Sequence, residues 1–194
     1  MVVSGKQKEQ LDKFEKLLLA WNKTHNLVAR SQVPLIKEHI RDSLSIAPLL
    51  GINIIDLGSG GGFPGIPIAI TCPKKKVFLI ERKESKAAFL LNTTNQLGLE
   101  NIKVINKDSN ELLKESFPKP LEIITRAFGS LIKTTEAAEE LLELPQTSLK
   151  LMKTEPLRGL EELPKRYQIE KIENLDVKGK DKRHILVTIT SRKT

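Results

Sequence analysis

The chain is poor in the residues that build disulfides, zinc sites and stacking platforms. It has one cysteine, Cys72, three histidines, one Trp, one Tyr and six Phe in 194 residues. A lone cysteine forms no internal disulfide, which fits a reducing compartment. His25, His39 and His184 share no ligand spacing with one another or with Cys72, so no metal site is expected. His39 stands beside Ile36 and Ile40 and reads as a hydrogen-bonded, partly buried histidine rather than a base. At 4% aromatic residues, a platform that stacks single-stranded bases is disfavoured. The longest apolar runs, Leu17–Trp21 and Ile66–Ile70, fall far short of the roughly 20 residues that span a bilayer. The N-terminus is rich in Lys, Glu and Gln from residue 6 and has no apolar stretch typical of a secretory signal. The expectation is a cytoplasmic, non-membrane, metal-free protein. Ser59 lacks the context of a nucleophile elbow, and no acid–base pair stands out.

Positive charge is plentiful. Lys and Arg number 32 against 24 Asp and Glu, a formal charge of +8. Such a balance suits an anionic partner such as nucleic acid. It also suits a solvated lysine-rich surface, and charge alone does not choose. The length allows one domain, or one domain with a small extension.

Hydrophobic periodicity predicts a helix over residues 6–21, with Leu11, Phe14, Leu17, Leu18 and Trp21 at helical spacing. A second helix is expected over 34–47, ended by Pro48 and Gly51. From residue 52 strands and helices alternate. Strands are expected at 52–57, 76–81, 102–106, 121–125 and 148–153. Helices are expected at 64–71, 85–97, 109–115, 131–142 and 155–163. Two further strands, 167–174 and 184–190, end the chain without a helix between them. Repeated βα units imply a mostly parallel sheet covered on both faces. The last two strands imply an antiparallel hairpin at one edge. Residues 1–50 then form a helical extension and residues 51–194 an α/β core.

The segment Asn53-Ile-Ile-Asp-Leu-Gly-Ser-Gly-Gly-Gly-Phe-Pro-Gly65 reads as a buried strand, a glycine turn and a helix start. Glycine lets a backbone approach a ligand closely, and Pro64 suits a first helical turn. The place is a nucleoside-sized crevice at the C-terminal end of a parallel strand. Other strand ends supply polar groups to the same rim. Glu81, at the end of the second strand, can accept hydrogen bonds from both ribose hydroxyls. Asp108, Ser109 and Asn110 follow the third strand, where an adenine edge would lie, although they also read as a helix N-cap. Arg126 follows the fourth. Two cofactors compete. Gly60-Gly-Gly62-Phe-Pro-Gly65 formally matches a dinucleotide fingerprint. That register starts late, however, and puts Pro64 where a pyrophosphate needs N–H donors. Asp56-Leu-Gly58-Ser-Gly60-Gly-Gly62 suits S-adenosylmethionine in register.

Along nearly its whole length the chain resembles the bacterial small-subunit rRNA guanine-N7 methyltransferases, also called glucose-inhibited division protein B. Trp21-Asn22-Lys23 with Asn26-Leu27, and His39-Ile40-Arg41-Asp42-Ser43-Leu44, carry part of the resemblance. So do Asp56–Gly65 with its Phe-Pro-Gly, Thr125-Arg126-Ala127, Leu151-Met152-Lys153 and Arg183–Val187. The resemblance implies a class I S-adenosylmethionine-dependent methyltransferase fold, Rossmann-like with a seven-stranded sheet. It implies methyl transfer to N7 of a guanine in 16S rRNA near the decoding region, with rRNA or a small-subunit particle as partner and a monomer as the working form. It places Gly58, Phe63, Ser109, Asn110 and Arg126 on cofactor-contact positions. Arg126 is the candidate catalytic residue, on the cofactor or on guanine O6. Glu38, Arg41, Asn110 and Thr154 depart from the family pattern. The competing readings are a dinucleotide-dependent oxidoreductase and an RNA-binding protein without catalysis.

Overall fold

A computed structural model describes residues 2–126, 130–157, 163–175 and 183–192. The first helix, α1 (Gly5–His25), begins on a capping box. Ser4 and Gln7 satisfy each other's backbone N–H, which is how a helix start closes its orphan donors. Leu11, Phe14 and Leu18 form its buried stripe. Complete burial of a side chain such as Phe14 contributes about 1.5–3 kcal/mol. The second helix, expected over 34–47, is shorter. Residues Arg30–Leu35 form a 3-10 turn containing Pro34, α2 (Ile36–Ile46) follows, and Ala47–Leu49 form another 3-10 turn.

The strands are β1 (Asn53–Leu57), β2 (Lys76–Ile80), β3 (Ile102–Ile105), β4 (Leu121–Thr125), β5 (Thr147–Thr154), β6 (Tyr167–Leu175) and β7 (His184–Ser191). The helices between them are α3 (Gly65–Thr71), α4 (Glu84–Leu97), α5 (Leu131–Ala137) and α6 (Glu139–Leu142). The expected helix over 131–142 is thus two, separated at Ala138. The expected 109–115 helix is a 3-10 turn, Ser109–Lys114. Of the expected helix over 155–163, residues 158–162 lie outside the described residues, and 155–157 and 163 are not helical.

The sheet order is β3-β2-β1-β4-β5-β7-β6. The first five strands are parallel, and β7 is antiparallel to both neighbours. The antiparallel pair at one edge is as expected. The last strand lies inside, between β5 and β6, so β6 is the outer edge. Helices α1 to α4 cover one face over Ile54, Leu79 and Leu186. Helices α5 and α6 cover the other over Ile55, Leu57, Ile123, Leu149 and Val187. Alternation along the strands separates these two cores.

Polar contacts fasten the N-terminal helices to this sheet. Gln7 Nε2 donates to the carbonyls of Ile70 and Thr71, both at 3.1 Å, and Gln10 Nε2 to that of Leu97 at 2.8 Å. Lys13 Nζ donates to Gln96 O at 2.6 Å. These are terminal carbonyls of α3 and α4, which lack partners within their own helices. The chain after α2 is held similarly. Lys150 donates to Leu49 O at 2.6 Å and pairs with Glu122 at 3.0 Å, while Glu122 accepts from Gly51 N at 2.7 Å. No helix among the described residues is long and apolar enough to cross a membrane.

Candidate functional site: a cofactor crevice at the strand ends

β1 carries Asp56 to the top of the sheet, where it is fully buried. Its Oδ2 accepts from Gly65 N at 2.9 Å, and Ser59 Oγ donates to the Asp56 carbonyl at 2.8 Å. Asp56 Oδ1 has no hydrogen-bond partner among the described residues. Burial pushes the Asp56 carboxyl up from 3.8 to about 7, with the Gly65 hydrogen bond opposing and the Glu81 charge reinforcing the rise. Asp56 therefore shapes the turn from beneath.

A raised carboxyl pKa has a defined sign. Between about pH 4 and 7 the folded protein holds a proton that the unfolded chain releases. Stability from this group is therefore present below the unfolded pKa and is lost as pH rises through the folded one. A shift from 3.8 to about 7 is on the order of 4 kcal/mol. In cofactor-free protein, Asp56→Asn is expected to flatten the fall in stability between pH 4 and 7. Denaturation midpoints across that range check it, and an unchanged pH slope would rule Asp56 out as its source.

The glycines divide into two kinds. Gly58 is exposed and Gly60 partly so, while Gly61, Gly62 and Gly65 are buried. Gly58 and Gly60 have φ of 73° and 53°, a left-handed conformation that side chains resist. Among the described residues, a Cβ built on Gly60 would meet protein only at Gly58 O, 3.7 Å away, so it would point into open space. A Cβ on Gly61 would stand 3.0 Å from Val28 Cγ1. Gly61 is glycine for packing. Gly58 N and Ser59 N both donate to Ile80 O, at 3.0 and 2.9 Å, strapping the turn to β2.

Glu81, just past β2, is buried rather than solvated. Its Oε2 accepts from Gly60 N at 3.0 Å and its Oε1 from Lys83 N at 2.8 Å. An ionised carboxylate has about four acceptor sites, so each oxygen keeps one lone pair for a ligand. Asn106 Nδ2, at the end of β3, donates to the carbonyls of Glu81 and Arg82 at 2.8 and 3.1 Å. Ser109 opens the 3-10 turn, and Ser109 Oγ donates to Asp108 at 3.1 Å. Asp108 and Glu111 form a capping box, so the N-cap reading accounts for Asp108. The Asn110 side chain lies outside those described.

Arg126 follows β4, and its fork faces α2. Nη1 donates to His39 O at 3.3 Å, and Nη2 to Asp42 Oδ2 at 3.1 Å and to His39 Nδ1 at 2.6 Å. A guanidinium has only donors. Nδ1 must therefore accept, which puts the imidazole proton on Nε2. Burial lowers the Arg126 pKa, and the Asp42 charge works against that. The guanidinium carbon lies 5.9 Å from the Phe63 ring centroid. The Phe63 ring is buried and meets Phe14 and His39 edge-on at 5.2 and 5.6 Å. Its bulk is spent on packing between the turn and both N-terminal helices. Lys153, near the end of β5, has its ammonium pKa lowered by burial. Ala127, last in the Thr-Arg-Ala motif, lies outside the described residues.

The structure thus brings Gly58, Gly60 and Glu81 into one constellation and Phe63 and Arg126 into an adjoining one. Sequence reasoning missed Asp42 as the partner of Arg126. The signal was an acidic residue four before Ile46, on the buried stripe of α2. It also missed that two of the N–H groups around the turn are occupied. Gly60 N and Gly65 N, which a pyrophosphate would require, already donate to Glu81 and Asp56.

A parallel sheet in this order with β7 reversed, and a glycine turn leading to an acid after β2, define a class I S-adenosylmethionine-dependent methyltransferase fold. Solved structures agree. TrmK of M. capricolum in complex with S-adenosyl-homocysteine has a TM-score of 0.59 at 15% identity, over 78% of this chain and 68% of that one. TYW2 of M. jannaschii in complex with AdoMet has a TM-score of 0.55 at 17% identity, over 79% and 76%. Residues 7–186 match the family described as rRNA small subunit methyltransferase G, and the chain belongs to that family. Ribosomal RNA small subunit methyltransferase G of Nitrosomonas europaea is 38% identical over 92% of this chain and 85% of its own length. That of Pseudomonas syringae is 35% identical over 95% and 87%.

Proposed function

We propose that this chain transfers a methyl group from S-adenosylmethionine to N7 of a guanine in 16S rRNA near the decoding region, acting as a cytoplasmic monomer without a metal. The observation that carries the reading is the accessible, left-handed backbone at Gly58 and Gly60, held from beside by Glu81, in a chain of the small-subunit rRNA methyltransferase family. The residues fit the cofactor, because a Cβ at Gly60 would occupy the space a ligand needs and Glu81 keeps acceptor capacity. When bound, the cofactor supplies a methyl carbon on a positively charged sulfur. Gly58 and Gly60 admit it closely, and Glu81 accepts from its ribose hydroxyls. Ser109 and Asn110 border the adenine. Phe63 backs the turn, and Arg126 orients the methionyl carboxylate or guanine O6.

Guanine N7 carries no proton at neutral pH, and its lone pair lies in the ring plane. The reaction therefore needs no general base. Alignment and exclusion of water carry the rate. Residues 1–50 act as a helical extension on the substrate side of a core formed by 51–194. The test is incubation of purified protein with labelled S-adenosylmethionine and small-subunit rRNA or particles, followed by nucleoside mass spectrometry. Label in 7-methylguanosine supports the reading, and label in another nucleoside overturns the N7 assignment.

Charge gives a separate expectation. With a balance of +8, affinity for rRNA should fall linearly in log Kd against log salt, by about 0.7–0.9 per phosphate contacted. Filter binding across a salt series measures the slope. A flat line would mean that the basic surface does not meet RNA.

A further inference from the structure

We propose that Asp42 and His39 of α2 are positioning residues for methyl transfer, holding the Arg126 fork at the rim of the crevice. Arg126 leaves the sheet at the end of β4, with nothing in its own strand to fix the guanidinium. Three of its contacts go to α2 instead: the His39 carbonyl, His39 Nδ1 and Asp42 Oδ2. They span 84 to 87 residues of sequence. Asp42 is buried, and its Oδ1 has no hydrogen-bond partner among the described residues. A buried carboxylate satisfied on one side only is costly for stability alone. Its place on an apolar stripe is explained by what it does to Arg126. His39 is braced in turn, because Ser43 Oγ donates to its carbonyl at 2.7 Å and its ring meets Phe63 edge-on. Two contacts to Asp42 and His39 Nδ1 use both hydrogens of Nη2, and one uses Nη1. The Nε–H and one Nη1 hydrogen have no partner among the described residues. A guanidinium held by three contacts to one helix is fixed in direction before the ligand arrives, which lowers the ordering cost at the transition state.

The inference rests on the assignment of Arg126 to the transfer site, and the experiment separates the two. Methyl-transfer kcat and KM for rRNA, and Kd for S-adenosylmethionine, are measured for Arg126→Lys, Asp42→Ala and the double variant. Ala is the best helix former, so α2 itself is not weakened. Asp42→Ala is expected to lower kcat/KM at least about tenfold, the worth of one charged hydrogen bond. The double variant should be no slower than Arg126→Lys alone. A merely structural Asp42 would shift the melting temperature and multiply with the Arg126 loss instead. His39 supplies a second pair of variants if Asp42→Ala does not fold. His39→Leu removes the Nδ1 acceptor and should be slow. His39→Asn returns an oxygen near that position and should recover most of the rate. Wild-type rates in Asp42→Ala, multiplying losses, or equal rates in the two His39 variants overturn the proposal while leaving Arg126 in place. A silent Arg126→Lys overturns the assignment of Arg126 and the positioning role together.

Discussion

Glu81→Ala should weaken S-adenosylmethionine binding by about 1.5–3 kcal/mol, roughly 10- to 150-fold in Kd, the range for hydrogen bonds to a charged group. The carboxylate already anchors Gly60 N and Lys83 N, so its loss has two sources. One is the missing acceptor for ribose; the other is a loosened turn. Glu81→Gln separates them in part. Its amide oxygen accepts one of the two backbone N–H groups, while its NH2 turns a donor toward the other, so its affinity should fall between wild type and Ala. A 2′-deoxyribose cofactor analogue completes the separation by calorimetry. Wild type should discriminate against it, and Glu81→Ala should not. Equal discrimination in both proteins would take the ribose hydroxyls away from Glu81.

Gly65→Ala should damage the fold, while Gly60→Ala should damage binding. A Cβ on Gly65 would overlap Leu79 Cδ2 and stand 2.6 Å from Asp56 Oδ2. Both neighbours are fully buried, and overpacking of this kind costs about 1–3 kcal/mol or more. A shift large enough to lower the denaturation midpoint plainly is expected. Gly60 offers no such clash, only the cost of a left-handed φ, about 1–2 kcal/mol. Its methyl group projects into the crevice. Gly60→Ala should remain folded and bind S-adenosylhomocysteine poorly. If it binds like wild type, the cradle lies elsewhere.

These two glycines show what was legible in the sequence. Every strand of the sheet was, because each apolar run is short and bounded by Gly, Pro or polar residues. The strand, glycine turn and helix start of residues 53–71 were too, because they occur in that order. The division of labour among the glycines was not. Gly60 and Gly65 are alike as letters, and only packing against Leu79 and Asp56 tells them apart. The position of β7 was likewise hidden, since register with β5 is set by contacts far along the chain. Arg126 was singled out from its place at a strand end. Its partners on α2 lie 84 and 87 residues earlier, beyond the reach of any local pattern.

The order of synthesis gives the fastening of α1 a further meaning. Gln7, Gln10 and Lys13 leave the ribosome well before their partners, because the carbonyls they cap belong to residues 70, 71, 96 and 97. The first helix cannot dock until about half the chain has followed it. Contacts so distant in sequence are slow to close, and the stripe of Leu11, Phe14 and Leu18 is only partly covered meanwhile. For a nascent chain growing at roughly 5–20 residues per second, that is an interval of several seconds. During it, α1 waits for partners that are made some 60 to 90 residues after it.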